Sequence, residues 1–206
     1  MTIKLNERDE VLMKSKLTRI AVALILIGSS TVTLAESKLS NAGDRAEIEA
    51  LKAQVNAIAK IKHIEKNNLA NFDDLDFNVY SGQKWDELTK SHAKDITVHY
   101  PDGHISKGLD KHIEELKPMF LFAPDTKIKE HPIRIASGEW TAVSGTIEGT
   151  FSKPMPIGEG KSIPATGKSF KLSMVTIGHW NKKGVMDEEW LTWDNLAFMK
   201  QIGLAQ

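Results

Sequence analysis

The segment Trp190-Leu-Thr-Trp193-Asp194 sets a carboxylate beside two tryptophans near the end of the chain. A carboxylate walled in by apolar groups loses hydration and becomes more basic. That is what removing a proton next to a carbonyl requires of a general base. Asp194 also stands just before a short helical pattern, Asn195–Ile202, where its side chain can cap the helix. Backbone N–H bonds would hold its pKa down, the wrong direction for a base, although Asn195 could cap instead. Both readings of Asp194 stay open. His99 lies in an alternating segment and titrates near neutrality, which suits a pocket-lining or proton-relay role as well as a strand histidine satisfied by backbone. Trp140, His179 and Trp190 complete the candidate binding set. Five tryptophans could line a pocket for a flat hydrophobic molecule or simply fill a core.

Other constellations carry less. Glu188 and Asp194 share a strand face about 20 Å apart, too far to act on one bond, so Glu188 reads as a rim or ion-pair residue. His99, Asp102 and His104 span a Pro-Asp-Gly turn that sends them in different directions, so no metal site is expected. His63, His92, His112 and His131 read as helix-surface or strand-edge residues. There is no cysteine, hence no thiol nucleophile, thiolate site or disulfide. No nucleophile elbow, phosphate loop or dinucleotide fingerprint is present. Basic and acidic residues number 27 each, so charge favours neither nucleic acid nor an anionic membrane as partner.

The elements that must position these residues follow from periodicity. Ile48, Leu51, Val55 and Ile58 mark a narrow helical stripe, fit to pack on its own domain or on a second subunit. A second helical pattern from Ile61 to Val79 stops near Ser81-Gly82, and Trp85 and Leu88 begin a short third. A strand is expected at Ile96–Tyr100. A helix with Leu109, Ile113, Leu116 and Phe120 on one face then ends near Pro118 or Pro124. Strands follow at 127–136, 140–151, 169–181 and 185–193, the last two joined by the turn Asn181-Lys-Lys-Gly184. The proline- and glycine-rich stretch Ser152–Lys168 reads as a long loop, a candidate lid. Helices followed by long antiparallel strands imply an α+β fold, one curved sheet covered by helices on its concave face with a pocket between them.

The N-terminus reads as a targeting segment. Lys14, Lys16 and Arg19 precede the apolar run Ile20–Ile27, and Thr33-Leu34-Ala35 fits signal-peptidase cleavage. Met13 is an alternative start. Residues 1–35 are thus expected to be a signal peptide, 36–60 a helical arm and 61–206 the folded domain. The cleaved protein is expected to be periplasmic or secreted, without a stable membrane anchor.

Five segments together resemble one family. They are Val98-His-Tyr-Pro101, Gly108-Leu-Asp-Lys-His-Ile113, Trp140-Thr-Ala-Val-Ser-Gly-Thr-Ile147, Ala165-Thr-Gly-Lys168 and Gly184-Val-Met-Asp-Glu-Glu-Trp190. With the ending from Trp193 to Leu204, the chain from about residue 61 is similar to SnoaL-like polyketide and ester cyclases of the NTF2-like superfamily. The resemblance implies a cone-shaped, cystatin-like fold and a homodimer. It implies intramolecular aldol cyclisation or isomerisation of a small hydrophobic carbonyl compound without metal or cofactor. The family's aspartate acid/base falls on Asp194. The histidine that the antibiotic cyclases carry on the preceding strand has only His179 as counterpart, near the turn. A carrier or sensor using the same pocket, or an interaction module, remains the alternative.

Overall fold

The computed structural model describes residues 42–206. The expected signal peptide and the first residues of the expected arm lie outside the described residues. The chain divides into one unit ending at Ala59 and another from Lys60 onward. Helix α1 (Ala42–Asp74) runs unbroken where two helical patterns were expected. Its Ala, Glu, Lys and Gln content gives it high intrinsic helicity, so Asn67 and Asn68 do not interrupt it. Among the described residues, no helix is long and apolar enough to cross a membrane.

At its C-terminal end α1 passes into a wider π-helical turn, Leu75–Tyr80, which ends at Ser81. Such turns insert one residue into the helical register and are frequent at functional sites. Here the turn buries Leu75, Asp76 and Val79. A 3₁₀ segment (Trp85–Lys90) leads to β1 (His92–His99) and β2 (Ile105–Lys107). Helix α2 (Leu109–Phe122) follows Gly108, whose φ of 89° is costly for any residue with a Cβ. This helix continues past Pro118 and stops at Phe122.

The remaining chain forms β3 (Lys127–Ile128), β4 (Ile133–Ser137), β5 (Trp140–Thr150), β6 (Met155–Gly158), β7 (Lys161–Ile163), β8 (Ser169–Trp180), β9 (Met186–Trp193) and α3 (Asn195–Gln201). Seven strands build the main sheet in the order β2-β1-β9-β8-β5-β3, with β4 also on β5. The α+β expectation holds, with a curved sheet and covering helices. One pair, β1 with β9, is parallel. The single strand expected at 127–136 is two short ones, broken around His131-Pro132, and both pair with β5. The expected long loop 152–168 carries the small hairpin β6–β7.

The β8–β9 hairpin closes at Asn181–Gly184, where the Asn181 side chain accepts from the Lys183 N–H and Gly184 has φ 76°. A bulge between His179 and Trp180 shifts the register, so Trp180 pairs with Met186 and His179 with Glu188. One side of the core gathers Phe72, Leu88, Ile96, Val98, Trp180 and Met186. The other gathers Phe122, Ile128, Phe151, Phe170 and Ile202. Burying one such side chain contributes about 1.5–3 kcal/mol, which fixes the sheet on which the site is built.

Candidate active site in the sheet cavity

Strand alternation sends Phe170, Leu172, Met174 and Thr176 of β8 to the same side as Glu189, Leu191 and Trp193 of β9. Together with the π-helical turn and α2 they enclose a cavity of about 430 Å³. Its walls are mostly apolar, with a minority of polar residues reaching it. Three of them, His92, His112 and Glu189, are only 3%, 2% and 4% exposed.

These three meet at one place. His92 Nε2 lies 3.7 Å and His112 Nε2 3.5 Å from Glu189 Oε2. Each ring is held from behind: His92 Nδ1 lies 2.8 Å from Ser91 Oγ, and His112 Nδ1 2.9 Å from the Tyr100 hydroxyl. Ser91 Oγ itself donates to the Leu88 carbonyl, which leaves it free to accept the His92 Nδ1 proton. Burial pushes His112 down to about 4, outweighing the attraction of Glu189, so its imidazole is neutral at physiological pH. Burial pushes the Glu189 carboxyl up, but the facing imidazoles hold it below the ordinary carboxylate range. The Tyr100 hydroxyl is raised by burial and by nearby Glu115 and stays protonated.

A second polar group enters from the π-helical turn. Asp76 lines the cavity and accepts from His131 Nε2 at 2.8 Å, while His131 Nδ1 donates to Asp73 at 2.7 Å. A ring that faces an ionised carboxylate through both nitrogens carries a proton on each. Accordingly His131 is raised above its ordinary value: burial opposes the charge, and the two aspartates overcome it. Asp76 is also raised, because burial outweighs the help of His131. Arg134 pairs with the far side of Asp73 at 2.6 Å. The result is a carboxylate of elevated basicity, oriented by a cation, in an apolar cavity. That is the equipment of a general base.

The sequence model of the SnoaL-like polyketide cyclases matches residues 74–202, well over half of the chain. This chain belongs to the SnoaL-like polyketide cyclase family. No curated protein matches it. Among solved structures, it is similar to a candidate SnoaL-like polyketide cyclase from Jannaschia sp. CCS1, with 18% identity, TM-score 0.59, and 69% of this chain and 96% of that one covered. It is also similar to IdmH, a candidate polyketide cyclase from Streptomyces antibioticus, with 19% identity, TM-score 0.56, and 66% and 98% covered. A protein from Catenulispora acidiphila DSM 44928 with a ketosteroid isomerase-like fold aligns at TM-score 0.52 and 12% identity, over 66% of this chain and 92% of that one. These likenesses establish the NTF2-like fold.

Within this SnoaL-like domain, the expected site residues Asp194, His99, Trp140, His179 and Trp190 lie elsewhere than the cavity. Asp194 is exposed and caps α3: its Oδ1 accepts from the Ala197 N–H at 2.9 Å. Strand alternation puts it on the face opposite Glu189, Leu191 and Trp193. Of the two readings of Asp194, the geometry corresponds to the cap. Replacing Asp194 with Ala should cost about 1 kcal/mol in denaturant unfolding and leave ligand affinity of the cavity unchanged.

His99, Trp140, His179 and Trp190 do assemble, but on that same outer face. His99 stacks on Trp190 at 4.6 Å and hydrogen-bonds Glu188 at 2.9 Å, so Glu188 is a partner of His99 on the outer face. Trp140 lies against His179 at 4.7 Å and Trp190 at 5.7 Å, and 44% of it is exposed. His179 turns to Asp187 at 2.6 Å. Asp102 and His104 pair at 2.6 Å near the cavity mouth while His99 is engaged by Glu188, so those three residues do not converge.

The expectation that His92, His112 and His131 sit at surfaces or edges is corrected. All three side chains are buried, each with a polar partner at Nδ1. Asp76, His92, His112, His131 and Glu189 are the groups that sequence reasoning passed over. The one available signal was the pair of adjacent acids Glu188-Glu189 on an alternating strand, which places one carboxylate on the buried face.

Proposed function

We propose that the cavity accepts a small, mostly apolar carbonyl compound and that the protein acts on it as a cyclase or isomerase, with Asp76 rather than Asp194 as the base. The observation that carries this reading is the Asp76 carboxylate, raised by burial and oriented by His131 in the wall of a mostly apolar cavity. Asp76 takes a proton from the carbon next to the carbonyl, and the electron pair moves onto the carbonyl oxygen. In a cyclisation, the enolate carbon then attacks a second carbonyl of the same molecule. The proton held by Asp76 goes to the new alkoxide, which restores the base. In an isomerisation the same proton returns at a different carbon.

The test needs no knowledge of the natural substrate. A small apolar 1,3-diketone incubated with the full chain in D₂O should exchange its α-protons faster than in buffer, as followed by proton NMR. Catalysed exchange that persists at wild-type rate in Asp76→Asn would remove Asp76 from the role, and no acceleration by the wild type would count against the reading as a whole.

The outer face supports a second proposal, a homodimer. Ile133, Ile135, Trp140, Val175 and Ile177 lie on that face by register, and each is exposed by 39–59%. An apolar patch of that extent on one sheet face is what a second copy would cover. Light scattering should give twice the chain mass for the wild type and the single mass for Trp140→Lys combined with Ile177→Lys. A monomeric wild type would leave the patch to another occupant.

A further inference from the structure

The proton-transfer reading uses Asp76 and leaves His92, His112 and Glu189 without a task. Glu189 Oε2 and His92 Nε2 are buried without a hydrogen-bond partner, a costly condition for a carboxylate and an imidazole. We propose that His92, His112 and Glu189 bind one divalent transition-metal ion of the Zn²⁺ type, with an open coordination position facing the cavity.

Spacing separates this from simpler explanations. The three candidate ligand atoms lie within 4.8 Å of one another, and the two measured edges are 3.5 and 3.7 Å. Those edges are too long for hydrogen bonds. A water bonded to all three atoms at about 2.8 Å would hold them about 4.6 Å apart. A tetrahedral ion with bonds of about 2.0–2.1 Å has ligand edges of about 3.3 Å, so the observed edges fall nearer the metal value.

Donor chemistry agrees. Two imidazoles and one carboxylate are a ligand set for Zn²⁺ with a free position, and also for Fe²⁺. In both histidines Nδ1 is engaged, by Ser91 and by Tyr100, which fixes the ring and turns Nε2 toward Glu189. Metal-bound histidines are held in this manner. The three ligands come from β1, α2 and β9, all anchored in one core, so the geometry is set by the fold and not by a loop. All three line the cavity. An ion there would draw the carbonyl oxygen and stabilise the negative charge that forms on it when Asp76 removes the neighbouring proton. The role assigned to the ion rests on the carbonyl reading, whereas the site does not. It also departs from the metal-free chemistry that the family resemblance implies.

The test uses the folded full chain, stripped with a chelator, and the metal alone. Calorimetric titration with Zn²⁺ should give one equivalent per chain with a Kd in the micromolar range or tighter. Glu189→Gln, His92→Gln and His112→Gln should each weaken it by on the order of 100-fold. His104→Ala, at the cavity mouth, should leave it unchanged. Should the buried variants fail to fold, the wild type still decides: Co²⁺ should give the intense visible bands of a four- or five-coordinate ion, bleached by added Zn²⁺. Binding should also weaken as pH falls, because protons compete for the imidazoles. Absence of stoichiometric uptake and of the Co²⁺ bands would overturn the proposal, as would Zn²⁺ binding lost in His104→Ala and kept in folded Glu189→Gln. None of these readouts involves a carbonyl substrate, so their failure is distinct from failure of the D₂O exchange.

Discussion

Replacing Asp76 with Asn is expected to lower catalysed α-proton exchange by about 10²–10⁴-fold while the fold and the apolar binding of the ligand survive. Asn keeps the shape of the side chain and can still accept from His131 through its amide oxygen. It cannot take up a proton. The cavity around it is formed by groups that the change does not touch, so affinity for an apolar ketone should move by less than about threefold. A parallel loss of affinity and rate would mean that Asp76 holds the wall together and does no chemistry. The comparison with Asp194→Asn sharpens the point. Asp194 sits on the other face of the sheet, bound to the Ala197 N–H. Exchange in that variant should equal wild type.

The second large effect concerns stability. Replacing His131 with Ala should cost about 3 kcal/mol in denaturant unfolding, since it strips a cation from between two carboxylates, one of them buried. The cost should fall at the lower end of the range for broken buried pairs, because Asp76 can take up a proton once its partner is gone. The ring also packs against Phe77 at 4.4 Å and Phe72 at 5.6 Å, which adds lost contact.

The pH dependence follows from directions alone. His131 is raised in the folded state, above 6.5. Its contribution is therefore complete below that value and is lost as pH climbs through the raised one. Asp76 is raised too, so its contribution falls from pH 3.8 upward and stops changing once its raised folded value is passed. The charged or titratable groups acting on the cluster are Asp73, Arg134, Glu189, His92 and Tyr80. Wild-type stability should thus decline as pH rises above neutrality. In His131→Gln the histidine part of that slope should vanish, measurable as converging unfolding midpoints at alkaline pH.

Much of the architecture was legible in the chain. Period-2 alternation placed β5, β8 and β9 within a residue or two, and Asn181–Gly184 was readable as their turn because Asn and Gly suit its backbone. What alternation could not provide was which face points inward. Both faces of β8 and β9 carry apolar residues: Phe170, Leu172 and Leu191 on one, Val175, Ile177 and Trp190 on the other. With so little contrast, the tryptophan-rich face reads as the lining from sequence, and Asp194 and His99 fall on it.

Other parts of the site had no local signature at all. Asp76 owes its direction to a π-helical turn that shifts the register of an otherwise ordinary helix. His131 lies in a break within what reads as one strand. His92, His112 and Glu189 come from β1, α2 and β9, and only the parallel pairing of β1 with β9 and the packing of α2 bring them together. No spacing rule in the sequence could have joined them.

Ligand is expected to enter the cavity and meet Asp76 there, which a crystal structure of the protein soaked with an apolar cyclic ketone would show. Density is expected inside the cavity, with an α-carbon within reach of the Asp76 carboxylate and, in crystals loaded with Zn²⁺, the carbonyl oxygen turned toward His92, His112 and Glu189. Ketone bound on the outer face against Trp140 and Trp190, with no density between Asp76 and Glu189, would contradict it.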